Sequence, residues 1–374
     1  MIFKNALIFN GNEFKPGEFA VSGDKFVDPK DACKDETTDL GGAYVIPGLI
    51  DIHTHGNSGA DFSDGDFNGL RKMAAFYLSK GITSFCPTSM TFPYDVLGKA
   101  FETAVKYCES PDDNGARLAG IHMEGPYFSE KKKGAQNASY LKLPDYEGFK
   151  KLYDDCNGLI KIVDVAPELA GASAFAEKTS RLCTVSVAHT DADYEDTVKI
   201  YKSGAAHLTH LYNAMPGIHH RNPGVIGAAA ERDNVTAELI CDGLHVHESA
   251  VRMGFKLFPD RICLISDSLR CTGMPEGEYT LGGQKIWLKD NIARLADGTI
   301  AGSAANLYQC MLNAINFGID KAAAINAATV NPARAIGMEN EIGSISAGKY
   351  ADFIVCDESL EKIKAIYKEG RLTQ

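Results

Sequence analysis

Paired cysteines and long apolar runs are missing from this sequence. None of its ten cysteines forms a Cys-x-x-Cys pair, and several lie in apolar runs such as Ile262-Cys263-Leu264. Cysteines scattered in this way are typical of buried free thiols in a reducing compartment. No apolar run approaches the ~20 residues of a membrane-spanning helix, and the first residues lack a signal peptide's apolar region and cleavage site. We therefore expect a cytoplasmic protein.

The sequence also has no excess of positively charged residues. The chain has 38 basic and 49 acidic residues, which gives a formal net charge of −11. A surface that binds nucleic acid is normally basic, so this balance argues against nucleic acid as a partner. An anionic small molecule would need a local group of positive charges or N–H donors.

Length and composition predict one large domain and one smaller domain. The 374 residues exceed the usual size of a single domain. Short strands and turns mark both ends of the chain, as in Ala6-Leu7-Ile8-Phe9 followed by Asn10-Gly11. We therefore predict a small β-sandwich domain formed by residues 1–46 and 343–374, with a barrel domain at residues 47–342.

Strands and helices alternate eight times between the two ends. The predicted strands cover residues 45–56, 82–86, 118–124, 160–165, 183–189, 207–210, 235–241 and 262–267. This repeat is typical of a (β/α)8 TIM-like barrel, an α/β fold whose active site lies at the carboxyl ends of the strands. A long polar loop at residues 127–144 follows the third strand, and we predict that it is functional.

His53 and His55 end the first strand of the predicted barrel. Successive strand side chains point to opposite faces, so residues two apart can direct both imidazoles at one point. Two neutral imidazoles on a rigid strand suit a zinc or iron ion. Taken alone, the pair is explained equally well as exposed histidines at a strand end.

Similar side chains at the other strand ends favour the metal site. These ends carry His53, His55, Glu124, His189, His210, Asp242 with His245, and Asp267. His207 and His210 are three residues apart, which puts their rings on opposite faces, and we take His210 as the ligand and His207 as structural. Asp267, at the end of strand eight, is placed to act as general base and then general acid beside a metal-activated water.

The same residues lie in motifs that span almost the whole chain. The most specific are His210-Leu211-Tyr212-Asn213-Ala214-Met215 and Asp242-Gly243-Leu244-His245. Others are Pro47-Gly48-Leu49-Ile50-Asp51-Ile52-His53-Thr54-His55 and His122-Met123-Glu124-Gly125-Pro126. Together they resemble the amidohydrolase superfamily, and within it the N-acetylglucosamine-6-phosphate deacetylases.

The resemblance implies hydrolysis of the N-acetyl group of N-acetylglucosamine 6-phosphate, giving glucosamine 6-phosphate and acetate. It implies that a divalent metal ion is held by Glu124, His189 and His210. Asp267 would be the catalytic acid and base, and His245 would polarise the amide carbonyl. Because His53 and His55 are also present, one or two ions per subunit are expected.

The resemblance also implies which residues bind the sugar phosphate. Backbone groups of Asn213 and Ala214 are expected to bind the phosphate together with Arg221, from the same subunit or from a neighbouring one in a homodimer. N–H groups and a guanidinium suit a phosphate. The other expected substrate contacts are His245, Ala135, Gln136, Asp242, Gly243, Leu244, Ala305, Asn306 and Leu307.

Two positions depart from the family pattern. Gln136 stands where many members have histidine, and Arg270 lies in a segment where small residues are common. Arg270 either adds a charge near the site or faces solvent. Two other functions stay open: a deacetylase of another N-acetyl sugar phosphate, such as the galactosamine epimer, and an inactive barrel that serves as a scaffold.

Overall fold

The computed structural model describes residues 1–32, 36–110 and 114–374. Cys33, one of the cysteines predicted to be free, lies outside the described residues. None of the helices in the described ranges is long and apolar enough to cross a membrane.

The strands carry most of the architecture. In chain order they are β1 (Ile2–Phe9), β2 (Phe14–Ser22), β3 (Lys25–Val27), β4 (Thr37–Pro47), β5 (Leu49–Thr54), β6 (Gly56–Asn57), β7 (Ala60–Asp61), β8 (Ile82–Ser89), β9 (Arg117–Leu118), β10 (Ile121–Met123), β11 (Ile160–Val165), β12 (Thr184–Val187), β13 (His207–Leu208), β14 (Thr236–Ile240), β15 (Ile262–Ile265), β16 (Gly277–Leu281), β17 (Gln284–Lys289), β18 (Ile292–Leu295), β19 (Ile300–Ser303), β20 (Phe353–Cys356), β21 (Ile363–Lys368) and β22 (Arg371–Leu372).

The α-helices lie mainly between the barrel strands. They are α1 (Phe67–Ser79), α2 (Tyr94–Glu109), α3 (Tyr146–Asp155), α4 (Ala172–Thr179), α5 (Tyr194–Lys202), α6 (Gly224–Ala230), α7 (Glu248–Leu257), α8 (Leu307–Asn316), α9 (Lys321–Ala327) and α10 (Val330–Ala335).

Eight parallel strands form the barrel. Their order is β5-β8-β10-β11-β12-β13-β14-β15, so each strand lies beside the next barrel strand in the chain. The first and last strands meet where Asp267 N donates to His53 O at 3.0 Å and Ser266 Oγ donates to Asp51 Oδ2 at 2.5 Å. The predicted (β/α)8 barrel is confirmed.

Both ends of the chain contribute to one seven-stranded sheet. Its order is β22-β21-β20-β4-β1-β2-β3. The rings of Phe26 in β3 and Phe353 in β20 are 5.9 Å apart, although these strands are four neighbours apart, a distance of ~19 Å in a flat sheet. The sheet therefore curls over a shared aromatic core. The β domain predicted from both termini is confirmed, whereas its boundaries stay a prediction.

A four-stranded antiparallel sheet between β15 and α8 is missing from the sequence-based prediction. It consists of β16, β17, β18 and β19 in that order. Two of its turns, Gly282-Gly283 and Asp290-Asn291, have positive φ at both residues. This geometry matches the twist of a β-hairpin, and such residue pairs are a hairpin signal that could have identified the sheet.

Arg117 joins the barrel to the terminal sheet. It lies in β9, and its guanidinium binds Asp352 at 2.6 Å and Glu369 at 2.7 Å. It also lies 4.0 Å from the centre of the Tyr350 ring. The Asp352 side chain is only 6% exposed, so the Arg117 guanidinium replaces the water that its carboxylate lacks.

We expect Arg117→Met to lower the free energy of unfolding by about 3 kcal/mol, because removing one partner leaves a buried carboxylate unpaired. The control is Lys106→Met, which removes an exposed helical pair with Glu102 and should cost about 0.5 kcal/mol or less. Urea unfolding of both variants measures the difference. Equal losses would mean that Arg117 does not stabilise the contact between the two parts.

Candidate active site

Five side chains of the metal-ligand type meet at the carboxyl ends of the barrel strands. His53 lies near the end of β5, His55 follows β5, and Glu124 follows β10. His189 and His210 lie two residues beyond β12 and β13. Their φ angles are +43° and +30°, values that residues other than glycine rarely adopt. Backbone strain of this kind clusters at functional sites.

The imidazole Nε2 atoms converge on the Glu124 carboxylate. Their distances to its oxygens are 3.1 Å for His189, 3.3 Å for His210, 3.4 Å for His55 and 3.6 Å for His53. The Nε2 atoms of His189 and His210 are 3.1 Å apart. Two ligand atoms at about 2.1 Å from a tetrahedral zinc ion would be about 3.4 Å apart, so this spacing is that of a ligand set.

Hydrogen bonds on the far side of each ring fix which nitrogen faces the centre. Each Nδ1 donates to an oxygen that only accepts; the partners are Glu238 Oε2 for His53 (2.8 Å), Thr88 O for His55 (3.1 Å), Lys132 O for His189 (2.8 Å) and Asn213 O for His210 (3.2 Å). Because each Nδ1 carries the proton, each neutral ring presents its Nε2 lone pair to the cluster. Partners of this kind orient the histidines of metal sites.

Positive charge is favoured at the centre of the cluster. Burial opposes protonation of His210, but the hydrogen bond to Glu124 and the charge of that carboxylate outweigh it and raise the pKa of His210 to about 9. Burial also opposes protonation of His55, yet the hydrogen bond with Asp267 and the charge of Glu124 raise its pKa to about 9. The buried His53 Nε2 has no hydrogen-bond partner among the described residues. A divalent cation would supply the charge and bind these nitrogens, so the donor set fits a metal ion.

Sequence reasoning misses a buried carboxylate below the cluster. Glu238 in β14 accepts from His53 Nδ1 at 2.8 Å and from His210 N at 3.2 Å, and its Oε1 lies 3.1 Å from His207 Nε2. Burial raises the pKa of Glu238, but the charge of His53 and the bond with His207 hold it well below its ordinary value. The signal that could have identified it is a glutamate inside an otherwise apolar strand. His207 thus lies below the cluster.

A cavity of about 310 Å³ opens above the cluster, a volume that suits a small-molecule ligand. Ten of the residues predicted for the site line it, namely His55, Glu124, Ala135, Gln136, His189, His210, Asn213, Ala214, His245 and Asp267. The loop at residues 127–144 also contributes Lys131, Lys132 and Gly134. Residues 299–302, from the four-stranded sheet, form another part of the wall.

Asp267 and His245 face this cavity with defined partners. Asp267 Oδ1 lies 3.3 Å from His55 Nε2. Burial raises the pKa of Asp267, but the bond with His55 and the charge of His53 lower it below its ordinary value, so the carboxylate is ionised at neutral pH. His245 Nδ1 donates to Asp242 Oδ2 at 2.7 Å, which directs the other ring nitrogen away from Asp242.

Several residues predicted to contact the substrate lie outside the lining of this cavity. They are Asp242, Gly243, Leu244, Ala305, Asn306, Leu307 and Arg221. Asn306 caps α8 by accepting from Gln309 N at 3.1 Å. Arg221 is exposed, and its Nη1 lies 2.7 Å from His220 Nε2. Their contact with a substrate stays a prediction.

Arg270 forms ion pairs with carboxylates of the protein. Its guanidinium binds Asp64 at 2.8 Å and lies 3.7 Å from the buried Asp61, and its side chain is 17% exposed. Its side chain does not face solvent, and its charge is paired with these two carboxylates. It joins the segment after β15 to the segment after β7.

Known proteins of one family are similar to this chain. The profile of the Amidohydrolase family matches residues 44–372. The N-acetylglucosamine-6-phosphate deacetylase of Bacillus subtilis (strain 168) is 36% identical over 343 residues, which cover 90% of this chain and 87% of the relative. The N-acetylgalactosamine-6-phosphate deacetylase of Escherichia coli O157:H7 is 32% identical over 337 residues, which cover 90% of this chain and 89% of the relative.

A solved structure matches the whole fold. The N-acetyl-D-glucosamine-6-phosphate deacetylase of Mycobacterium smegmatis superposes with a TM-score of 0.91 at 30% identity and covers 100% of both chains. The family profile covers the barrel and β20 to β22 of the terminal sheet, and the solved structure covers the whole chain. The chain belongs to the amidohydrolase family, and the relatives it matches there are deacetylases of N-acetylated amino-sugar phosphates.

Proposed function

We propose that this chain hydrolyses the N-acetyl group of N-acetylglucosamine 6-phosphate, giving glucosamine 6-phosphate and acetate. The observation that carries the proposal is the convergence of four imidazole Nε2 atoms on Glu124, beside the ionised Asp267, at the cavity floor. The Bacillus subtilis relative, by its name, acts on this substrate. The direct test is to incubate the purified protein with N-acetylglucosamine 6-phosphate and measure the release of acetate.

A divalent metal ion completes the proposed site. Glu124, His189 and His210 form one ligand set, and His53 and His55 form a second set with the same carboxylate. Imidazole and carboxylate donors suit zinc or iron, and one or two ions would bind per subunit. When bound, such an ion polarises an acyl oxygen and lowers the pKa of water from ~15.7 towards ~7.

Asp267 would transfer the protons, and His245 would orient the substrate. The ionised Asp267 takes a proton from the attacking water and then gives it to the leaving amine nitrogen. Asp242 accepts from His245 Nδ1 and so presents the opposite ring nitrogen. When both ring nitrogens carry a proton, Nε2 would donate to the acetyl oxygen and stabilise the charge that develops on it.

The phosphate would bind at the mouth of the cavity. Asn213 and Ala214 line the cavity, whereas Arg221 is exposed in its own subunit. We infer that Arg221 reaches the cavity of a neighbouring subunit in a homodimer. Lys131 and Lys132, which line the cavity, are the next candidates for binding the phosphate.

The galactosamine epimer is the second candidate substrate. The Escherichia coli relative, which by its name acts on that epimer, is 32% identical and covers a similar share of this chain. Values of kcat/KM for the two epimers, measured side by side, decide between them.

The proposed compartment is the cytoplasm. The nine cysteines within the described residues are all free, and most are buried. Free thiols in this number are typical of proteins in a reducing compartment.

Asp267→Asn should lower kcat by about 10²- to 10⁴-fold, because general acid–base catalysis contributes roughly that much. Metal content and substrate affinity should change little. Steady-state kinetics, metal analysis and substrate binding to the variant measure the three quantities. Near-normal turnover would exclude Asp267 as the proton carrier.

Wild-type protein in excess zinc should bind two equivalents per subunit. Because His53 and His55 belong to one ligand set, the double variant His53→Ala/His55→Ala should bind one equivalent fewer and keep the other. The exposed His219→Ala is the control and should bind as wild type does. If wild type never exceeds one equivalent, His53 and His55 do not form a second site.

Arg221→Ala should weaken binding of the phosphorylated substrate about 10- to 150-fold, since a hydrogen bond to a charged group contributes about 1.5–3 kcal/mol. The unphosphorylated N-acetyl sugar never makes this contact and should be nearly unaffected. The measurement is kcat/KM for both compounds, with the exposed Arg181→Ala as control. Equal losses on both compounds would mean that Arg221 acts through folding or assembly.

A further inference from the structure

Gln136 has both ends of its side-chain amide bound to the protein. The residue is 3% exposed. Its Oε1 accepts from Thr91 N at 2.8 Å, and its Nε2 donates to Glu124 Oε2 at 2.6 Å. A backbone N–H can only donate, so the amide oxygen must face Thr91 and the NH2 group must face Glu124. The second N–H is directed at Met90 Sδ, 3.8 Å away.

The two oxygens of Glu124 therefore differ in their surroundings. Oε1 lies 3.1 Å from His189 Nε2 and 3.3 Å from His210 Nε2. Oε2 lies 3.4 Å from His55 Nε2 and accepts the short bond from Gln136. A carboxylate that bridges two ions must offer one oxygen to each, and here the oxygen on the side of His55 already binds a donor.

We propose that Gln136 is a positioning residue that makes the two metal sites unequal. It holds Glu124 so that Oε1 serves the set with His189 and His210. It competes for Oε2 and thereby lowers the affinity of His53 and His55 for a second ion. This inference rests on the metal site of the proposed function, and it gives Gln136 a role other than contact with the sugar.

The backbone around Gln136 is also hydrogen-bonded to the rest of the protein. Gln136 N donates to Lys133 O at 2.9 Å. The carbonyl of the preceding residue, Ala135, accepts from Gln284 Nε2 at 2.7 Å, and Gln284 belongs to the four-stranded sheet. The backbone of the loop is thus bound from two directions, whereas the side-chain amide itself is held by Thr91 and Glu124.

The test is a zinc titration of protein stripped of metal by a chelator, with a competing chromophoric chelator to report both dissociation constants. In wild type the second zinc should bind at least 10-fold more weakly than the first. Gln136→Met has a similar length and no donor, and it should reduce that ratio by about 10-fold or more, the usual scale for a group that orients a ligand. Gln136→Leu provides a second variant if the first does not fold.

Gln284→Leu is the matched control, because it removes a glutamine from the same loop contact and leaves the amide of Gln136 on Glu124. It should keep the wild-type ratio. Cobalt(II) gives an independent readout, since a filled pair of sites couples magnetically and loses its paramagnetic signal at a lower cobalt concentration in Gln136→Met. A wild-type protein that binds no zinc would overturn the proposed function. Two bound ions with an unchanged ratio in both Gln136 variants would overturn this inference alone.

Discussion

A carboxylate buried inside the barrel, Glu238, fixes the orientation of the two histidines beside it, His53 and His207. Moving an ionised carboxylate out of water costs several kcal/mol unless a partner compensates for the lost hydration. Glu238 has His53 and His207 as partners, and its pKa stays well below its ordinary value although burial raises it. Asp51 has only neutral donors such as Ser266, and burial raises its pKa to about 7. The two carboxylates differ because Glu238 has histidine partners that stabilise its charged form, whereas the partners of Asp51 are neutral.

The same pairing determines the chemistry of the cavity. His53 can satisfy Glu238 only through Nδ1, which leaves Nε2 facing Glu124. One hydrogen bond therefore compensates a buried charge and also prepares a ligand atom. Because Glu238 lies within β14, the barrel itself sets this requirement for His53, whereas carbonyls of the loops, Lys132 O and Asn213 O, orient His189 and His210.

Periodicity and strand ends made much of this predictable from sequence. The spacing of two between His53 and His55, and the position of Glu124 after an apolar strand, follow from strand geometry alone. The four-stranded sheet escaped prediction because its short antiparallel strands follow the last barrel strand and lie outside the repeating strand–helix pattern. Glu238 was not predicted because its role depends on contacts with His53 and His207, which are distant from it in sequence. A local sequence pattern cannot show contacts between residues that are far apart in the chain.

The place of β4 in the terminal sheet has a consequence for synthesis of the chain. One edge of β4 pairs with β1, which precedes it, but the other pairs with β20, which begins at Phe353. Roughly 300 residues separate the two strands, and at a synthesis rate of about 5–20 residues per second the edge stays open for on the order of 15–60 s. An unpaired strand edge with apolar neighbours is a template for association with other chains. For that interval, the open edge of β4 is therefore exposed to pairing with other chains.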